Sequence, residues 1–103
     1  MIYKFKSKAS GDLIMLGPNG DQLLRLLGRE PAASGIFEAA DLNALRHRLE
    51  AAVAEAEAAA GQGEADDQDE RQREAVGLRQ RLWPMVQMME RAAAAGEPIV
   101  WGV

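Results

Sequence analysis

The stretch PIVWGV, residues 98–103, decides how this chain folds. Gly96 ahead of it supplies a helix stop, Pro98 opens an extended segment, and Ile99, Val100, Trp101 and Val103 are β-formers. Burying an aromatic as large as Trp101 is a strongly favourable term. The stretch is therefore predicted to be a core strand that needs a sheet to join.

Working outward, the opposite end of the sequence offers that sheet. IYKFK (2–6) alternates strictly, sending Tyr3 and Phe5 to one face and Ile2, Lys4 and Lys6 to the other. DLIML (12–16) is a second short strand, apolar on both faces. The intervening SKASG, a glycine-containing connection, suits an antiparallel hairpin.

The period then changes to that of a helix. In GPNGDQLLRLLG (17–28), Asn19 and Gln22 have the spacing of a capping box, and Gly28 with Pro31 beyond it marks the stop. Leu23, Leu24, Leu26 and Leu27 cover most of this short helix, so it is expected to be wedged between other elements or partly buried at an interface. A second helix begins near Glu38–Asp41 and carries the stripe Leu42, Leu45, Leu49, Val53, Ala56 and Ala60. Its alanine-rich tail has high helix propensity and little to bury, so it projects or packs closely on a neighbour.

Residues 61–74 read as a flexible acidic loop. A third helix follows, with Val76, Leu82, Met85, Val86 and Met89 facing inward and Pro84 interrupting it. Because the apolar spacing stays in phase across Pro84, a kinked helix is preferred to two separate ones. The prediction is one α+β domain over 1–103, a two-layer sandwich of order β-β-α-α-α-β. Its small, mostly antiparallel three-stranded sheet packs on the helices.

The bulk numbers exclude several function classes. The chain has 103 residues, a net charge of −4 and no cysteine, which removes disulfides, thiolate nucleophiles and cysteine metal sites. The acidic run 61–74 holds six acids and two arginines, so it accounts for the whole net charge and leaves the body neutral. A neutral body lacks the clustered basic surface that nucleic acid or anionic membrane requires. MIYKFKSK has no apolar signal core, and no apolar run approaches the length of a membrane span. A cytoplasmic protein without a cleaved leader is expected.

Taken together, MIYKFKSKASGDLIML with GPNG behind it, GREPAASGIF, and LRQRLWPMVQMMERAAAAGEPIVWGV make the sequence similar to a family of short bacterial proteins. That family is the domain-of-unknown-function family 1840. The resemblance covers both ends and most of the middle, across an acidic linker of variable length. It implies a whole-chain domain in an intracellular bacterial setting, and it carries over no catalytic or binding residue.

The individual constellations have plain structural readings. His47, the single histidine, lies on the side of its helix away from the apolar stripe, and is expected in solvent. GPNGDQLL lacks the Lys and Ser/Thr of a phosphate loop, and DDQDE lacks the Gly and spaced Glu of a calcium loop. Lys4, Lys6 and Lys8 form a basic row without stacking aromatics on its face, which suits protection of a sheet better than nucleic-acid binding. No catalytic, metal-binding or cofactor-binding set can be assembled, and no cofactor is expected.

What remains is an apolar surplus. Two strands are apolar on both faces while one sheet face needs covering, so the expectation is a small non-enzymatic interaction module, self-associating as a homodimer or binding another protein. Its expected surfaces are Ile14 and Leu16 on the outer sheet face and Trp83 and Met88 on the third helix. The rival is a small-molecule binder or small enzyme with a pocket between sheet and helices, using Tyr3, Arg79, Arg81 and Glu90. Nucleic-acid binding is the third reading.

Overall fold

The computed structural model describes residues 2–61 and 65–103. Strands β1 (Ile2–Ser7) and β2 (Ser10–Leu16) form the hairpin, followed by α1 (Gly17–Leu26), a short strand β3 (Gly35–Phe37) and a single 3-10 turn at Ala39–Asp41. Helices α2 (Leu42–Ala60) and α3 (Ala65–Ala95) lead to β4 (Ile99–Trp101). The sheet order is β2-β1-β4-β3, antiparallel throughout. The α+β two-layer expectation holds, but the sheet has four strands where the sequence predicted three. β3 is the addition, a three-residue segment that exists because β4 pairs with it.

Residues 99–101 do what the composition of 98–103 predicted, but the strand ends at Trp101, and Val103, counted among its β-formers, is exposed. β4 lies between β1 and β3, with Phe5 opposite Trp101 and Gly35 opposite Trp101 on the other side. Trp101 is 3% exposed, and its ring meets those of Phe5 (5.6 Å) and Phe37 (4.8 Å). Its indole N–H donates to the Ala32 carbonyl at 3.0 Å, so the buried polar atom is satisfied. Tyr3, Met15 and Ile99 complete the buried side of the sheet; α1 and α3 lie against it, and α2 packs on those two helices.

The hairpin connection is shorter than predicted. Strand pairing runs to Ser7 and Ser10, leaving only Lys8 and Ala9 as the turn. Among the described residues no non-glycine has a positive φ, so the primed turns that match strand twist are not used here. The register instead shifts between Phe5 and Ser7, a bulge that absorbs the mismatch.

The helix α1 starts earlier than the capping-box reading placed it. Leu16 is the N-cap, Pro18 sits in the first turn where its missing donor costs nothing, and no side chain caps the start. Its C-terminus is as expected: Gly28 adopts φ +77°, and the amides of Gly28 and Arg29 return to the carbonyls of Arg25 and Leu24. Gly96 ends α3 by the same device. Leu23, Leu24 and Leu27 are buried, so α1 is wedged between sheet and α2, and Arg48 of α2 donates to the Leu27 carbonyl at 2.9 Å.

The stripe on α2 is largely as predicted, with Leu42, Leu45, Leu49, Val53 and Ala60 buried and Ala56 only half-buried. Helix α3 is one helix with Pro84 inside it, as preferred over two separate helices. It corrects the loop reading: it begins at Ala65, so residues 65–74 of the expected acidic loop are helical. Residues 62–64 of that loop lie outside the described residues. At 31 residues, α3 is about 46 Å long, which sets the 45 Å long axis of the molecule. The tail of α2 packs along it through Ala60 and Ala75, while Val76, expected inward, is half exposed. Counting back from Leu82 in steps of three and four reaches Leu78 and Ala75, which leaves Val76 out of phase.

Trp101→Ala is expected to cost about 3–5 kcal/mol, a large part of the stability of a domain this size. Urea melts read it directly; a loss under about 1 kcal/mol would mean that β4 contributes little to the core.

Candidate interaction surface

Period-two alternation divides the sheet residues between the helices and the opposite side. Among the described residues, no element covers the outer face. On it, Ile2 stands directly opposite Leu16, and Lys4 opposite Ile14. Ile2, Ile14 and Leu16 are each more than 60% exposed and adjoin one another at one corner of the sheet. Further across, Lys6 pairs with Val100 and Val100 with Ile36, itself 39% exposed. Lys4 Nζ lies 3.5 Å from Asp12 Oδ2, both side chains about half in solvent, a pair of small energetic weight.

The sequence placed Ile14 and Leu16 on this face, and that is where they lie. It did not count Ile2, which alternates with lysines, or Ile36, which belongs to the unpredicted β3. The other half of the expected surface dissolves. Met88 is buried among Met85, Met89 and Ala92, so α3 presents a wide arc to the interior here. Trp83 is half-buried against the core, with the Arg79 guanidinium 4.2 Å above its ring. Arg79 Nε also donates to Glu57 at 3.0 Å, joining α3 to α2.

The four polar groups proposed for a pocket do not converge. Arg79 lines a groove of about 490 Å³ between α2 and α3 with Glu57 and Gln72. Arg81 faces a different groove, with Gln22, Ala56 and Glu74, and Glu90 a third, with Gln87 and Arg91. Tyr3 is buried under the sheet, its hydroxyl donating to the Asp21 carboxylate. Burial first, then the hydrogen bond and negative charge of Asp21, pushes the Tyr3 phenol up to about 12, with Arg25 acting in the opposite sense. A phenol held so firmly protonated by a carboxylate is a tie between β1 and α1 rather than a proton donor near neutrality.

His47 is exposed on α2, with Nδ1 3.6 Å from Glu50 Oε2. Among the described residues, no three of His, Cys, Asp and Glu are grouped so as to hold a metal ion, and no helix is long and apolar enough to cross a membrane. Of the basic row, Lys4 and Lys6 lie on β1 and Lys8 in the turn.

Comparison with known proteins yields one finding. A family model described as "Domain of unknown function (DUF1840)" matches residues 1–101. No curated protein and no solved structure matches the chain.

The single tyrosine makes its environment measurable. Alkaline titration followed at 295 nm is expected to give a midpoint near 12, against the ordinary value of 10.0, and a midpoint near 10 would place the phenol in solvent. Because the folded chain keeps this proton where the unfolded chain has lost it, stability falls as pH rises from 10 toward 12. Tyr3→Phe should cost about 1 kcal/mol at neutral pH and remove that part of the alkaline loss.

Proposed function

The chain belongs to the DUF1840 family, whose description names no activity, and from its own surface we propose that it is a small non-enzymatic protein-interaction module that self-associates as a homodimer. The carrying observation is the corner of Ile2, Ile14 and Leu16 on a sheet face that no helix covers. Single exposed apolar residues are ordinary on protein surfaces. Three adjoining ones, Ile2 opposite Leu16 with Ile14 two residues along β2, make a patch on the order of a few hundred Å², the scale at which association sites begin.

A second copy is the occupant that the reading commits to. A twofold axis brings one patch against its own equivalent, and it is the commonest arrangement among homomeric proteins. The proposed setting is the bacterial cytoplasm, as the family resemblance implies. The small-molecule and nucleic-acid readings are less well supported. Of the polar groups of the first, Arg79, Arg81 and Glu90 face separate grooves and Tyr3 is buried, and in the second Lys4 is paired with Asp12 while the aromatics lie beneath the sheet.

Light scattering across micromolar concentrations tests the proposal. The wild-type chain is expected to approach twice its monomer mass. Ile14→Lys and Leu16→Lys are expected to remain monomeric with stability changed by no more than about 0.5 kcal/mol, since both side chains are already in water. A wild-type chain that stays monomeric throughout overturns the reading.

A further inference from the structure

We infer that the second copy joins edge to edge, β2 pairing antiparallel with its twin about a twofold axis, so that two four-stranded sheets become one of eight strands. This rests on the self-association proposed above and specifies its geometry.

The two edges of the sheet are treated differently. β3 is only three residues long, and the Arg29 guanidinium donates to its Ile36 carbonyl at 2.7 Å while lying 4.8 Å from the Phe37 ring. Short length and a charged side chain on the strand are both known ways of blunting an edge. β2 has neither. It is seven residues long, has no proline, lysine or arginine, and ends in the apolar run Leu13–Leu16. Its one charge, Asp12, is answered by Lys4 within the same sheet. The register shift of the hairpin lies toward the turn, and pairing from Phe5–Leu13 to Ile2–Leu16 is regular. A regular, apolar, unguarded edge is a template for another strand.

The lysines decide between edge and face. Lys4 and Lys6 stand on β1, in the interior of the outer face, and Lys6 is directly opposite Val100. A second copy laid flat on that face would bury Lys4 and Lys6 of both chains, answered within each chain only by Asp12 and by a long 3.5 Å contact from Lys6 to the Val103 carbonyl, and buried charge so weakly partnered is costly. Edge pairing leaves every lysine in water. It also extends the exposed Ile14 and Leu16 into a continuous apolar row with their equivalents, because residues opposed across an antiparallel seam share a face.

On the helix side of the edge, a groove of about 240 Å³ runs between Ser10–Leu13 of β2 and Pro84, Gln87 and Arg91 of α3. The helices therefore stop short of closing over this edge, which leaves room for side chains of an added strand.

The absence of native cysteine permits a clean test. Leu16→Cys and Ile14→Cys on β2, and Val100→Cys on the middle of the face, are treated with a short bismaleimide. In parallel, hydrogen exchange of the unmodified chain is followed from low to high micromolar concentration. The expected result is cross-linking through the β2 cysteines at least about tenfold faster than through Val100→Cys. The β2 amides should exchange at least about fivefold more slowly at the high concentration, with β3 unchanged. A dimer by light scattering whose β2 amides gain no protection, or which cross-links as fast through Val100→Cys, overturns the edge geometry and leaves self-association standing. A chain that is monomeric at every concentration, including one whose β2 edge is protected only by a different protein, overturns both. Exchange on the unmodified chain keeps the test decisive if a cysteine at Ile14 or Leu16 weakens the seam.

Discussion

The pairing of β1 with β4, Phe5 opposite Trp101, is the constraint on which the rest of this structure depends. It joins strands separated by nearly the whole sequence, and it sets the aromatic rings of Phe5, Phe37 and Trp101 against one another. The entropy of closing so long a loop grows only slowly with its length, so a buried aromatic cluster can offset it. β3 has no other strand to pair with, and α3 is held in place at its C-terminal end by the short link from Gly96 to Ile99. Without β4, the sheet reduces to a hairpin, and two-stranded hairpins are marginal on their own.

Where a signal was local, it was legible in the sequence. The alternation of residues 2–6, the leucine stripe of α2 and the glycine stops at 28 and 96 each depend on a few neighbouring residues, and each was read correctly. β3 was not legible because nothing in GIF specifies a strand until Ile99, Val100 and Trp101 arrive beside it. The start of α1 was misplaced because Asn19 and Gln22 have a capping pattern, yet Pro18 already suits a first helical turn and Leu16 leaves β2 directly into the helix. Residues 65–74 read as a loop from their charge. Yet Ala, Gln, Glu and Arg are good helix formers, and a helix anchored downstream by Leu82, Met85 and Met89 extends through them at little cost.

The candidate surface was half legible for the same reason. Ile14 and Leu16 belong to a strand that is apolar on both faces, and one face of a strand in a two-layer domain has no helix to cover it. The phase of α3, by contrast, cannot be fixed from its own sequence. Met85, Met88 and Met89 span a broad arc, and how much of that arc is buried depends on how the helix lies on the sheet. Met88 sits beside Ser10–Leu13 of β2, at the edge opposite β3. The missed strand and the misjudged methionine are therefore separate errors, the second arising because α3 packs against the hairpin.

A domain of this length has three helices for one sheet, enough for one layer on one face. The outer face must then be both strand-like and wettable, requirements that conflict because strands favour branched apolar side chains. This chain meets them by position. Lysines occupy the outer side of β1, where a flat apolar face would otherwise attract another sheet; the most exposed apolar residues, Ile2, Ile14 and Leu16, sit at the β2 corner, and Ile36 lies at the other edge. Charge on the middle of a sheet discourages stacking without touching the backbone groups at its rim. The rim is governed separately, by Arg29 at β3 and by nothing comparable at β2. The lysines thus stand on one strand and the unguarded apolar run on its neighbour, so that surface added along β2 leaves those charges in water.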